Sequence, residues 1–187
     1  MAVPTPAEAE LLLASFDLPD GIVAHSRGVS HVAAEAARLL ESAGIAVDPL
    51  LVAVAALLHD VDKGVTQADG ERHGVLGAQW MAERGFPELA EPIASHPIAC
   101  LLDPSRTPRG WASVAVAVAD RHVAQDFVSI DERIDDQVVR YPAFRASLEA
   151  ARAPAHAMQA DLAAAAGLTS DELDVRLKAA WTEDGAG

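Results

Sequence analysis

Cysteine, aromatic side chains and positive charge are all scarce in this chain of 187 residues. Cys100 stands alone, so the chain can form no internal disulfide, offers no CxxC pair to a metal, and suits a reducing compartment. Aromatics are 4% of the residues, which leaves the core to Leu, Val, Ile and Ala. Leu and Ala are strong helix formers. Lys and Arg number 14 against 28 Asp and Glu, a formal net charge of -14 at pH 7. Binders of DNA and RNA present a basic face that releases counterions, so this balance argues against a nucleic acid polymer as partner. Long apolar runs are missing too. The longest, Leu50 to Leu58, falls far short of the ~20 residues of a membrane helix. The opening MAVPTPAEAE has neither the basic nor the apolar region of a secretory signal. The expectation is a soluble, cytoplasmic protein with no membrane partner, organised as a single domain over residues 1–187.

The rest of the sequence is a series of helices set off by caps and breakers. Thr5 before Pro6 and AEAE has the form of an N-cap with proline at the first helical position, predicting a helix to about Phe16. A second helix is expected from Gly21 to Ser42, stopped by Gly44, with Ile22, Val29, Val32, Ala36, Leu39 and Leu40 on one stripe. Asp48-Pro49 repeats the start signal. The LLVAVAALLHD that follows is apolar nearly all round, which predicts a central buried helix ending in His59-Asp60. VDKGVTQADGER is polar and is expected to be a loop, with helices from His73 to Glu83 and after Pro87. Pro104 and Pro108 place residues 97–110 in a surface loop near the mouth of any site. In Trp111 to Phe127, Val and Ala alternate with the period of a strand. Helix is still the expectation, because no partner strand is evident elsewhere and a lone strand leaves its backbone unpaired. Thr169 to Glu172 is a capping box that opens a last helix to about Trp181. The fold class is all-α.

His59-Asp60 carries the strongest chemical signal. An imidazole beside a carboxylate at a buried helix end costs desolvation unless something binds both. A metal would do so, and mixed nitrogen and oxygen ligands suit iron, manganese, zinc or nickel better than calcium. A hydrogen-bonded pair that merely caps the helix is the plain alternative, and the doublet by itself leaves the two even. Asp120 ends its apolar segment as Asp60 ends its own, a second carboxylate in need of a cation or strong donors. His25, with Val29, Ala33 and Ala37 at i+4, i+8 and i+12, lies on or near a buried face. His73 opens HGVLGA, where Gly74 and Gly77 permit close backbone approach, and His96 follows a short helix. Taken singly, these three fit ordinary core, surface or capping histidines better than ligands. His31 is about 240° round the helix from His25, and with His122 and His156 it is assigned to structure. Arg27, Arg72 and Arg121 stand near these residues, and solvated helix arginine is a commoner case than a phosphate contact. Cys100 has no obvious base beside it and receives no catalytic role.

Together, His25 with Ser26 and Val29, LLHDVDK at 57–63, HGVLGA from 73, His96, and VADRHVAQD ending at Asp126 resemble the HD-domain phosphohydrolases in order and spacing. The resemblance covers roughly residues 20–140. It implies an HD-domain helical bundle over that range, with residues 141–187 as a C-terminal helical extension. His25, His59, Asp60 and Asp120 match the ligands of a first metal. His73 and His96 match the further histidines of branches that hold two, with Asp60 bridging. Lys63 matches a residue that contacts substrate phosphate. The implied cofactors are two divalent ions, iron or manganese ahead of zinc or nickel. Asp60 and Lys63 are the implied catalytic residues, with a metal-activated water attacking phosphorus.

Within the superfamily the pattern looks like the bacterial diadenosine tetraphosphate hydrolases and HDIG-type phosphohydrolases. HDVDK departs from HDIGK, and Asp62 is an extra carboxylate expected to blunt the hold of Lys63 on phosphate. The implied partner is a small phosphorylated molecule, a nucleotide or dinucleotide, with a homo-oligomer left open. Two other classes stay open. One is a di-iron oxygenase of the same fold, distinguished by a need for O2 and iron. The other is a ligand-binding or regulatory module with little activity, against which the intact ligand set argues.

Overall fold

The computed structural model describes residues 3–66 and 72–183. Among them are ten α-helices, α1 (Pro6–Ala14), α2 (Asp20–Ser42), α3 (Pro49–Leu57), α4 (Lys63–Thr66), α5 (Val75–Glu83), α6 (Ala90–Ser95), α7 (Gly110–His122), α8 (Ile130–Arg140), α9 (Arg145–Ala165) and α10 (Ser170–Glu183). Among the described residues no sheet forms, and one isolated antiparallel bridge pairs Val123 with Phe127.

Local chemistry sets most of the boundaries. The Thr5 hydroxyl accepts from the Glu8 amide while the Glu8 carboxylate accepts from the Thr5 amide. Ser129 with Glu132 and Thr169 with Glu172 repeat that box at α8 and α10. The Asp48 carboxylate accepts from the Leu50 amide to start α3, and Gly44, at φ 85, ends the turn after α2. The Val-Ala alternation of residues 113–118 lies within α7. Ala115 to Ala119 are all buried there. A helix buried on nearly every side has no polar face, so its sequence period says little about its conformation.

The centre of the bundle is α2, α3 and α7, each packed on the other two. Ala33, Ala36 and Ala37 of α2, Ala55 and Ala56 of α3, and Ala115 and Ala119 of α7 are fully buried. Such small side chains let helix backbones approach closely, and the Ser30 hydroxyl of α2 reaches the Ala53 carbonyl of α3 at 2.8 Å. Leu162, Leu173, Leu177 and Trp181 bring α9 and α10 into the same core. A smaller cluster of Ile130, Ile134, Val138, Leu148 and Ala155 joins α8 to α9.

Several boundaries differ from the sequence expectation. α3 stops at Leu57, so His59 and Asp60 lie in the buried turns after the helix rather than on it. The Ala56 carbonyl accepts from the His59 ring at 2.6 Å and from the His59 amide, the competition that ends the helix. The expected loop after it begins with the single turn α4, held by Thr66 on the Asp62 carbonyl; its residues 67–71 lie outside the described residues. α5 starts at Val75 rather than His73 because Gly74 adopts φ 81. The expected loop of residues 97–110 winds into a 3-10 helix over Ile98–Leu102, since Ile98 and Leu101 reach the α8–α9 cluster and Cys100 is buried. α7 ends at His122, where the chain turns back and the Val128 amide bonds the His122 carbonyl.

Candidate metal centre

Six residues expected to be ligands converge from five places in the fold. His25 comes from the second turn of α2, His59 and Asp60 from the turns after α3, His73 from just before α5, His96 from the end of α6 and Asp120 from the last turn of α7. The ligand atoms of His25, His59 and Asp120 lie within 4.8 Å of one another, as do those of His59, Asp60 and His96. His25 Nε2 is 3.1 Å from Asp120 Oδ1, and His59 Nε2 is 3.3 Å from Asp60 Oδ2. His73 Nε2 is 3.2 Å from Asp60 Oδ1 and 3.1 Å from His96 Nε2.

The tautomers follow from the partners on the far side of each ring. His59 Nδ1 lies 2.6 Å from the Ala56 carbonyl, His96 Nδ1 2.6 Å from the Ile93 carbonyl and His73 Nδ1 2.7 Å from an Asp62 carboxylate oxygen. All three oxygens only accept, so each Nδ1 carries the proton and donates it. In the neutral rings Nε2 then turns a lone pair inward. Acceptor therefore faces acceptor. His59 Nε2, Asp60 Oδ1 and Asp120 Oδ1 are buried acceptors that complete no hydrogen bond, and the buried His25 Nε2 beside them, whose tautomer no far-side partner sets, completes none either. Buried acceptors crowded together need a cation between them, and this donor set of imidazole nitrogens and carboxylate oxygens fits a divalent transition metal.

The charge states of His25 and His96 agree with that fit, whereas His73 holds an extra proton that a cation would have to displace. Burial pushes the His96 ring down to about 4 and lowers His25, although Asp60 and Asp120 oppose it, so both stay neutral at pH 7. Burial disfavours the Asp60 carboxylate, yet His59 and Lys63 hold it well below its ordinary range. At Asp120 burial is likewise outweighed, by Arg121 and His25. Burial also opposes charge on His73, but the Asp60 and Asp62 carboxylates beside the ring raise it to about 9.

Three residues belong to the site in ways the sequence did not disclose. Asp62, expected to interfere with Lys63, is fully buried and turned away from it, onto His73 Nδ1 and the Gly74 and Gly77 amides. Arg121 is buried rather than solvated, bonded to Asp120 and to the His96 carbonyl, and so ties α7 to the end of α6. Arg133 of α8 places Nη2 3.6 Å from Asp120 Oδ1. No local pattern marks Arg133, because arginine on an amphipathic helix is usually solvated. Lys63 stands with Nζ 2.5 Å from Asp60 Oδ2, on one of the two carboxylates of the cluster.

The remaining histidines stand apart from the six. His122 bonds the Val128 carbonyl and stacks on Phe127, and His156 lies 3.1 Å from Asp131. Arg27 pairs with Glu10 in solvent, and Arg72 is exposed. A cavity of about 360 Å³ lies between residues 105–107 and 109 and Val75, Ala94 and Ser95, sequence neighbours of His73 and His96. None of the six residues lines it.

A helical bundle that gathers four histidines and two aspartates around buried nitrogen and oxygen atoms offers a donor set of the kind that could hold a metal ion. Residues 22–125 match the HD domain, and the chain belongs to the HD domain family, whose members are in general metal-dependent hydrolases, phosphohydrolases above all. The chain is 38% identical over 79 residues to an uncharacterized protein of Methanocaldococcus jannaschii. That match covers 42% of this chain and 46% of the relative, so the chain spans less than half the length of the curated relative it matches. No solved structure matches it. Among the described residues no helix is long and apolar enough to cross a membrane.

Proposed function

We propose that the chain is a phosphohydrolase that holds two divalent ions and acts on a small phosphorylated molecule, first of all a nucleotide or dinucleotide such as a dinucleoside polyphosphate. The observation that carries this reading is the way Asp60 divides its oxygens. Oδ2 faces His59 at 3.3 Å and His25 at 3.6 Å, while Oδ1 faces His73 at 3.2 Å and His96 at 3.5 Å. One carboxylate with an oxygen turned to each of two histidine pairs is the arrangement of a bridging ligand. His25, His59 and Asp120 complete one half, and His73 and His96 the other. Imidazole nitrogen favours iron, manganese or zinc over magnesium, and within that set this reading takes iron or manganese ahead of zinc or nickel.

When bound, such ions supply Lewis acidity and a water acidic enough to attack phosphorus near neutral pH. The chain's own residues position the substrate. Lys63 is one-third exposed at its side chain, so its ammonium sits at the rim of the site, and Arg133 flanks Asp120 with a buried Nε that has no hydrogen-bond partner. Both cations can orient the non-bridging oxygens of a phosphoryl group and stabilise charge that develops on them. The same reading takes residues 20–140 as the catalytic core and 141–187 as a helical extension of one domain.

Purified protein loaded with iron or manganese should hydrolyse members of a panel of phosphomonoesters, nucleotides and dinucleoside polyphosphates. Asp60→Ala should lose metal and activity together. Hydrolysis at near the original rate by that variant removes Asp60 from the chemistry, and turnover that consumes O2 assigns the centre to oxygenase chemistry instead.

A further inference from the structure

Asp62 occupies an unusual position for a carboxylate. It is fully buried two residues after Asp60, and both its oxygens are committed. Oδ1 accepts from His73 Nδ1 at 2.7 Å. Oδ2 accepts from the Gly74 amide at 2.7 Å and the Gly77 amide at 3.0 Å. Those two amides are among the free donors at the start of α5, whose own N-cap, Gly74, has no side chain to satisfy them. Asp62 therefore caps α5 from twelve residues away while gripping the ring just before it.

The glycines make this contact feasible. A Cβ on Gly77 would stand 3.5 Å from Asp62 Oδ2 and 3.2 Å from Val61, and one on Gly74 would press on the Ile93 carbonyl at 2.8 Å. α5 and the end of α6 are thus drawn close to the Asp60–Asp62 turn. His73 and His96 arrive together with their Nε2 atoms 3.1 Å apart.

We infer that Asp62 is a positioning residue for the second metal ion. It fixes His73 with the proton on Nδ1 and Nε2 presented beside Asp60 Oδ1 and His96, and it anchors α5 so that this half of the site is formed before the ion arrives. The inference rests on the reading of His73 as a ligand. Carboxylates that hold the far nitrogen of a ligand histidine set both its tautomer and its orientation, and their loss commonly costs about 10- to 100-fold in metal affinity. The departure of HDVDK from a small residue at this position thereby becomes part of the centre rather than a hindrance to Lys63.

Asp62→Asn separates capping from orientation. Two amide donors on one side direct the carboxamide oxygen to Gly74 and Gly77, which keeps the cap and turns the NH2 group toward His73. A ring facing a donor must present a lone pair at Nδ1 and carry its proton on Nε2, the wrong tautomer for ligation. The test compares wild type and Asp62→Asn, both loaded with zinc. It uses metal content, zinc affinity, thermal midpoint and the imidazole 15N resonances of His73.

The expected result is a wild-type His73 with metal-bound Nε2 and protonated Nδ1. In Asp62→Asn, metal content should fall from two ions toward one, with second-ion affinity lower by about 10- to 100-fold and helical content unchanged. Two ions held with wild-type affinity by Asp62→Asn overturn the inference. So does a wild-type His73 whose Nε2 carries the proton or binds no zinc. Protein that shows the expected resonances but hydrolyses no phosphate ester would defeat the phosphohydrolase reading and leave the role of Asp62 standing.

Discussion

Lys63 sits between two roles, and the distance of 2.5 Å from its Nζ to Asp60 Oδ2 makes the choice testable. Burial works against its charge, but Asp60 outweighs burial and raises it above its ordinary value, so the side chain remains an ammonium throughout the working range. A cation that only steadied Asp60 would be needed for metal binding. One that grips phosphate would be needed only for turnover. Lys63→Ala should lower kcat/KM by about 1.5 to 3 kcal/mol in transition-state terms, the worth of one charge-assisted contact, with metal content unchanged. Loss of metal in that variant would assign Lys63 to the support of Asp60. At this scale the histidines and aspartates picked out along the sequence are ones that the fold brings together. The roles of Asp62, Arg121 and Arg133 were hidden, since each depends on a partner supplied by another segment.

Among the helices, α10 packs on α2 within one turn of His25. Gly28 lies three residues after His25, and a Cβ there would stand 2.0 Å from the ring of Trp181, which is 7% exposed. Two effects compete in Gly28→Ala. Replacing glycine within a helix ordinarily stabilises by about 0.5 to 1 kcal/mol. Overpacking against a buried ring costs about 1 to 3 kcal/mol. The overlap is with ring atoms of a side chain held in the core, so the cost should win and the thermal midpoint should fall. In a Trp181→Ala background the same substitution should become neutral or stabilising, because only the propensity gain is left. A Gly28→Ala protein more stable than wild type would show that the indole moves aside freely and that α10 does not brace α2. The capping box of α10 and the glycine stop of α2 were legible because they are local. The end of α3 was not, because the His59 ring takes the carbonyl that the next helical amide would have used.

Metal should govern the stability of the whole molecule as well as its chemistry. An ion present at 100 times its dissociation constant stabilises the folded state by about 2.7 kcal/mol per site, so a chelator should lower the thermal midpoint measurably. His73 sets the direction of the pH dependence. Its ring, raised to about 9 without metal, must give up a proton before Nε2 can take a cation. The stabilisation that metal confers should therefore grow as pH rises from 6 toward 9 and level off above it. In the metal-free protein the sign is opposite. A folded value of about 9 against an ordinary 6.5 contributes stability that is full below 6.5 and lost as pH climbs through 9. Calorimetry with and without chelator across this range checks both slopes, and a metal effect independent of pH would remove His73 from the ligands.

Helical class, the caps at Thr5, Asp48 and Thr169 and the order of the candidate ligand residues all follow from the chain read along its length, because propensity and spacing are local quantities. Which oxygen of Asp60 faces which histidine, what Asp62 holds, and that Arg121 joins two helices under the site were decided only when distant segments packed, because each is a contact over a few ångströms between residues that the chain itself keeps far apart.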